Sequence, residues 1–187
     1  NNENVFTRFR EHWPTDLSVP LLHLPDGQTF SYADADRSAS QIANYFIDLG
    51  IKKGDRLTAL VEKSPVALFL YLGCLKAGIA YHPMNTGYSK FEIANMLEDA
   101  SPSVIVCDPK LESLIESAVS GTIPTRILTL DEQGAGSLTE NIRAYPDSAP
   151  TTHCAADDMA SLIYSSGTTG KPKGIILTHK NLSSNAA

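Results

Sequence analysis

The 187 residues are enough for one sizeable domain, or for a domain with a small appendage. Hydrophobic residues make up 42% and charged residues 19%, an ordinary globular balance, and no apolar run approaches the roughly 20 residues that a membrane-spanning helix needs. A net charge of −6 argues against a general nucleic-acid or anionic-membrane surface, but not against a phosphate ligand, which asks only for local positive charge.

In chain order, Val5, Phe6, Phe9 and Trp13 fall at near-helical spacing and Pro14 ends the run, so a first helix is expected over 4–13. Residues 19–24 read as a strand, Pro25-Asp26-Gly27-Gln28 as a turn and residues 29–32 as a second strand, together a hairpin. Ser31 is placed to cap the next helix, whose apolar face is Ala39, Ile42, Ala43, Phe46 and Leu49, with Gly50 as a left-handed terminator. A strand follows over 57–61. Ser64-Pro65 then opens a helix over 66–77 that Gly78 closes.

Residues 79–83 form a short strand. Ser89 caps a helix over 90–100 that presents Phe91, Ala94 and Leu97 on one side. Residues 103–107 are strongly β-branched, 109–119 read as one helix with Leu111, Leu114, Ile115 and Ala118 inward, and 126–130 as another strand. The Pro/Ser/Thr/Asp-rich stretch 145–156 reads as a surface linker before a last buried strand over 160–164. Strands alternating with helices at this spacing predict an α/β fold with a mostly parallel sheet flanked by helices.

Cys74, Cys107 and Cys154 are widely spaced, without a C-x-x-C pair, which indicates neither a zinc site nor a disulfide framework. A reducing compartment fits, cytoplasm or organelle matrix. No signal peptide is visible at Asn1-Asn2-Glu3. The closing run Asn181–Ala187 has the composition of a helix just begun, so the chain is expected to be a piece of a longer protein.

The chemistry concentrates in Leu162-Ile163-Tyr164-Ser165-Ser166-Gly167-Thr168-Thr169-Gly170-Lys171-Pro172-Lys173-Gly174, followed by apolar Ile175-Ile176-Leu177. Glycines let backbone N–H groups approach phosphate oxygens, hydroxyls donate to them, and lysine acts as a point charge. This is not the loop of P-loop NTPases. Only Thr168 and Thr169 separate Gly167 from Gly170, and Pro172 stands where that motif runs into a helix. Lys171, Lys173, His179 and Lys180 supply the local positive charge. A Gly/Ser/Thr-rich hairpin without a ligand is the competing reading of composition alone.

The order Ser-Gly-Thr-Thr-Gly-x-Pro-Lys-Gly over 166–174 resembles the phosphate-binding signature of the adenylate-forming (AMP-binding) enzymes, which include acyl–CoA synthetases and peptide-synthetase adenylation domains. Thr29–Tyr32 with Gly50-Ile51-Lys52-Lys53-Gly54-Asp55-Arg56, and Leu75-Lys76-Ala77-Gly78-Ile79-Ala80-Tyr81-His82-Pro83, are similar to two earlier regions of that family, in family order. These two are packing units, and no catalytic role is assigned to them. Glu62-Lys63-Ser64-Pro65 and Pro83-Met84-Asn85-Thr86-Gly87-Tyr88 look like malonyl–CoA synthetases within the family.

The resemblance implies the N-terminal portion of the family's large domain over 1–187, with the small C-terminal domain absent. It implies an acid–CoA ligase that forms an acyl-adenylate, with ATP and Mg²⁺, a small carboxylic acid such as malonate, and CoA as co-substrate. Ser165, Ser166, Gly167, Thr168, Thr169, Gly170, Lys173 and Gly174 would bind the ATP phosphates; Ser165 stands where the family usually has Thr. Another carboxylate, loading of a carrier protein, or a nucleotide-binding module without catalysis remain alternatives. His179 is expected to cap or pack rather than to touch substrate, and His12, His23, His82 and His153 to be structural or exposed. Oligomeric state is not legible.

Overall fold

The computed structural model describes residues 1–119, 125–165 and 172–185. The chain opens with helix α1 (Val5–Glu11) and a two-stranded antiparallel hairpin, β1 (Pro20–His23) and β2 (Thr29–Ser31). Helix α2 (Tyr32–Asp48) starts at Ser31 through a reciprocal capping box. The Asp34 N–H donates to Ser31 Oγ at 3.1 Å, and the Ser31 N–H donates to Asp34 Oδ2 at 2.8 Å. Gly50 beyond its end takes φ +82°, the left-handed value expected of it.

Five strands then run parallel: β3 (Arg56–Leu60), β4 (Ala80–Pro83), β5 (Val104–Cys107), β6 (Arg126–Thr129) and β7 (Met159–Ser165). A sixth, β8 (Lys173–Thr178), turns back antiparallel to β7, giving the order β6-β5-β3-β4-β7-β8. The fold is thus the mostly parallel α/β sheet that the alternation predicts. Helix α3 (Pro65–Ala77) joins β3 to β4, capped by Ser64 and closed by Gly78 at φ +70°. Helix α4 (Lys90–Ala100), capped by Ser89, crosses to β5; the short 3₁₀ turn Pro109–Leu111 and α5 (Glu112–Val119) lead toward β6.

Two cores result, one on each face of the sheet. On the first, Ile42, Phe46, Leu70 and Leu75 pack with Leu57, Val104 and Val106 at no more than 1% exposure. Each such side chain contributes about 1.5–3 kcal/mol by leaving water. On the second, Leu60, Ile93, Leu97, Ile105 and Ile115 are equally buried. Alternation along β5 sends Val104 and Val106 to one core and Ile105 and Cys107 to the other, as a central strand requires.

Several expectations are corrected. Phe91 does not share the buried side of Leu97 but stands 75% exposed, because Ile93, Met96, Leu97 and Ala100 form the i, i+3, i+4, i+7 seam of α4 and Phe91 lies off it. The helix over 109–119 is split into the 3₁₀ turn and α5, with Ile115 and Val119 as its most buried residues. A short helix α6 (Ser137–Ile142), unsuspected behind Gly134 and Gly136, buries Leu138 and Ile142. Residues 145–156 form no regular element but are pinned: Asn44 Nδ2 donates to the Pro146 and Ser148 carbonyls, and the Thr152 N–H donates to the Lys76 carbonyl. All three cysteines are free and buried, and among the described residues no helix is long and apolar enough to cross a membrane.

Candidate functional site

Strands β7 and β8 build the site. Ile163, Ile175 and Ile176 favour extended backbone, and Pro172, which has no N–H to give a ladder, stands just before the second strand. Ser165 pairs with Lys173 and Tyr164 with Gly174, so the residues flanking 166–171 are held side by side. Ser165 and Lys173 are both exposed. Ser165, Lys173 and Gly174 are therefore brought together. Ser166, Gly167, Thr168, Thr169 and Gly170, with Lys171, lie outside the described residues.

The hairpin is held from both ends. At its base, Ser161 Oγ donates to the Tyr81 carbonyl at 2.7 Å, reinforcing the pairing of β7 with β4. Beyond β8, helix α7 (His179–Asn185) begins with a reciprocal contact: the Thr178 N–H donates to Asn181 Oδ1 at 3.0 Å and the Asn181 N–H to Thr178 Oγ1 at 3.2 Å. His179 is 1% exposed, and its Nδ1 accepts from the Val5 N–H at 3.0 Å, tying α7 to the first turn of α1. It packs, as expected. It does not supply positive charge: burial lowers its pKa, against a smaller opposing effect of Asp158. Of the cations named from the sequence, Lys173 is the described one at the 166–171 end of the hairpin, while Lys180 follows its other end.

Close to the hairpin lies an open cleft of about 560 Å³, walled by Arg56, Asp99, Leu162, Tyr164, Lys173 and Ile176. The Tyr164 hydroxyl donates to Asp99 Oδ2 at 2.5 Å, and the ring stands 5.0 Å from the ring of His82. His82 is fully buried on β4, with Nδ1 2.8 Å from Thr58 Oγ1; its Nε2 has no hydrogen-bond partner among the described residues. Burial pushes its pKa down to about 4, with Asp99 opposing weakly. Neither contact was visible in sequence, since Tyr164 and Asp99 are 65 positions apart.

The stretches 62–65 and 83–88 also meet. They leave the adjacent strands β3 and β4 at the same edge of the sheet, and Thr86 Oγ1 donates to Glu62 Oε1 at 2.7 Å. By contrast, Lys76 of the Leu75–Pro83 region is structural. It is 5% exposed, and its Nζ reaches Asp36 Oδ1 at 2.8 Å and Ser40 Oγ at 2.7 Å. Among the described residues, no group of three His, Cys, Asp or Glu side chains is placed to hold a metal.

The profile of the AMP-binding enzyme family matches residues 7–187. The chain belongs to that family. It is 32% identical over 157 residues to the long-chain-fatty-acid–CoA ligase FadD13 of Mycobacterium tuberculosis, a match covering 84% of this chain and 31% of that protein. A linear gramicidin synthase of Brevibacillus parabrevis is 33% identical over 183 residues, covering 97% of this chain and 3% of the synthase. The crystal structure of ATP-bound MatB from Rhodopseudomonas palustris superposes with a TM-score of 0.93 at 36% identity, over all of this chain and 37% of MatB. The chain thus spans about a third of the length of FadD13 and of MatB. Its sheet and helices match the N-terminal part of the adenylate-forming enzyme fold.

Proposed function

We propose that this chain is the N-terminal part of the large domain of an ATP-dependent acid–CoA ligase, and that it contributes the polyphosphate clasp. The observation that carries this is the hairpin: the chain matches the AMP-binding family, and Lys173 of the signature-like run sits exposed and opposite the exposed Ser165 that precedes it. Ser165, Ser166, Thr168 and Thr169 would donate hydroxyls, Gly167, Gly170 and Gly174 would open the backbone, and Lys173 would add charge. Mg²⁺ would enter with the nucleotide and supply positive charge against the phosphates.

In the reaction so read, a carboxylate oxygen attacks the ATP α-phosphorus and pyrophosphate leaves, giving an acyl-adenylate. The thiol of CoA then attacks the acyl carbon and AMP leaves. The first step builds charge on the phosphoryl oxygens, where pre-set donors and cations lower the barrier. Malonate is the proposed acid. Its support is the resemblance of 62–65 and 83–88 to malonyl–CoA synthetases, two stretches that touch through Thr86 and Glu62. FadD13 and the gramicidin synthase favour a second reading, with a fatty acid or an amino acid as the acid and, for the latter, a carrier protein as acceptor.

ATP–pyrophosphate exchange by the full-length enzyme tests this. Exchange should depend on malonate, and Lys173→Ala should slow it by about 10–100-fold, the range for a charge-assisted phosphate contact, with little change in melting temperature. Exchange that follows a fatty or amino acid instead removes malonate, and an unchanged rate in Lys173→Ala removes Lys173 from the site. The 187-residue chain alone should form no acyl–CoA from ATP, Mg²⁺, malonate and CoA.

A further inference from the structure

We infer that Tyr164 is a positioning residue for the phosphate hairpin, acting through its hydrogen bond to Asp99, which ties the end of α4 to the last residues of β7; this rests on the polyphosphate reading above. Tyr164 directly precedes Ser165 and pairs with Gly174, which directly follows Lys173. Its ring lies across the Gly174 backbone, where an added Cβ would stand 3.4 Å from Tyr164 Cε1 and Cζ. On its other side the ring meets His82, whose imidazole is itself fixed against Thr58 of β3. The ring is therefore packed between His82 and the backbone that follows Lys173, on the residue that precedes Ser165.

The partner of the hydroxyl is fixed independently. Asp99 sits in the last turn of α4, and Arg56 of β3 grips the end of that helix. Arg56 Nε donates to the Ala100 carbonyl at 2.6 Å and Nη2 to the Ser101 carbonyl at 3.0 Å. Ser101 is held there at φ +45°, the one described non-glycine residue with positive φ. The path β3, Arg56, α4, Asp99, Tyr164 thus anchors the hairpin to the central sheet. A hydroxyl donating to a carboxylate at 2.5 Å is a short, charge-assisted bond. Burial and this bond also raise the tyrosine pKa, so the hydroxyl remains a donor across the neutral range. Asp99 is exposed, and the bond borders the open cleft, so its deletion leaves no buried group orphaned. It orients more than it stabilises.

The test uses the full-length enzyme, with ATP–pyrophosphate exchange on malonate and a thermal melt of each variant. Tyr164→Phe keeps the ring and loses the hydroxyl. It should raise the KM for ATP about 10-fold while the KM for malonate and the melting temperature stay near wild type. Asp99→Ala should match it, Asp99→Asn, which keeps an acceptor, should recover most of the loss, and the double variant should be no worse than either single. Wild-type ATP dependence in Tyr164→Phe, multiplying effects in the double variant, or a rise of both KM values together with a fall in melting temperature would each overturn the inference. Lys173→Ala in the same assay separates the two levels. If it loses exchange while Tyr164→Phe does not, only the positioning role fails; if neither loses exchange, the phosphate reading fails with it.

Discussion

The middle of the sheet and the β7–β8 hairpin are made of similar residues under opposite constraints. Strands β3, β4 and β5 have helices on both faces, and Leu57, Leu60, Ile105 and Val106 have no accessible surface. On β8, Ile175 is 42% and Ile176 56% exposed, and a single residue pair, Tyr81 with Ser161, joins β7 to β4. Apolar burial therefore fixes the scaffold. The hairpin is aimed by a few directional contacts: Ser161 to the Tyr81 carbonyl, Tyr164 to Asp99, and the Thr178–Asn181 exchange. A rigid sheet that holds Ser165 and Lys173 exposed and side by side is the arrangement by which a fold lends precision to a site.

The contrast breaks most visibly at Phe46, fully buried between α2 and the sheet. Phe46→Ala should cost about 3–5 kcal/mol, through lost burial and the cavity left behind. Urea denaturation of the chain should show a loss of unfolding free energy of that size; a loss below about 1 kcal/mol would mean the first core is not close-packed there. A smaller effect comes from adding atoms. Gly73 of α3 lets α2 approach so closely that an added Cβ would lie 2.5 Å from Ile42 Cγ2. Gly73→Ala should destabilise by about 1–3 kcal/mol through overpacking, against a gain in helix propensity of about 1 kcal/mol. A stabilised variant would show that the α2–α3 spacing relaxes freely.

Much of this division was legible in the sequence, for identifiable reasons. Helix caps and terminators are local, so Ser31, Ser64, Ser89, Gly50 and Gly78 could be placed from neighbours alone. The phosphate signature is contiguous and needs no fold to be seen. What escaped depends on distance along the chain. Ser137 to Ile142 has only Leu138 and Ile142 as apolar anchors, too few to show a period, and becomes a helix by packing on α2. The grouping of Phe91 with Leu97 on one side fails because helical phase can be read from several starting residues, and only the sheet beneath decides between them. His82, expected to be structural or exposed, showed no partner pattern in sequence; its burial against Thr58 and Tyr164 is a product of strand order.

His82 also gives the two regions a shared acid sensitivity. Its pKa falls from 6.5 to about 4 because burial disfavours the charged ring. The unfolded chain therefore binds the proton first. The stability is fully present above about pH 6.5 and is lost as pH drops through the folded value near 4. The slope is on the order of 1 kcal/mol per pH unit. His179, buried and shifted the same way, adds to it. Melting temperatures from about pH 7 to about pH 4.5 should fall, and less steeply in His82→Asn, which cannot take up the charge. Equal slopes for the two proteins would mean that His82 titrates normally in the fold.

Ile176 sits on β8 opposite Leu162, on the wall of the open cleft, with more than half of its surface in water. Ile176→Thr keeps the β-branch that suits an extended strand and removes little buried area, so the stability of the chain should change by no more than about 0.5 kcal/mol. The same substitution in the middle of the sheet is a different experiment. Ile105→Thr puts a hydroxyl into a fully buried position on β5 and should cost about 1–3 kcal/mol unless that hydroxyl finds an acceptor. The ratio of the two losses measures how far apolar packing reaches from the central strands toward the hairpin. A ratio near one would mean that β8 belongs to the core and that its polar anchors are redundant.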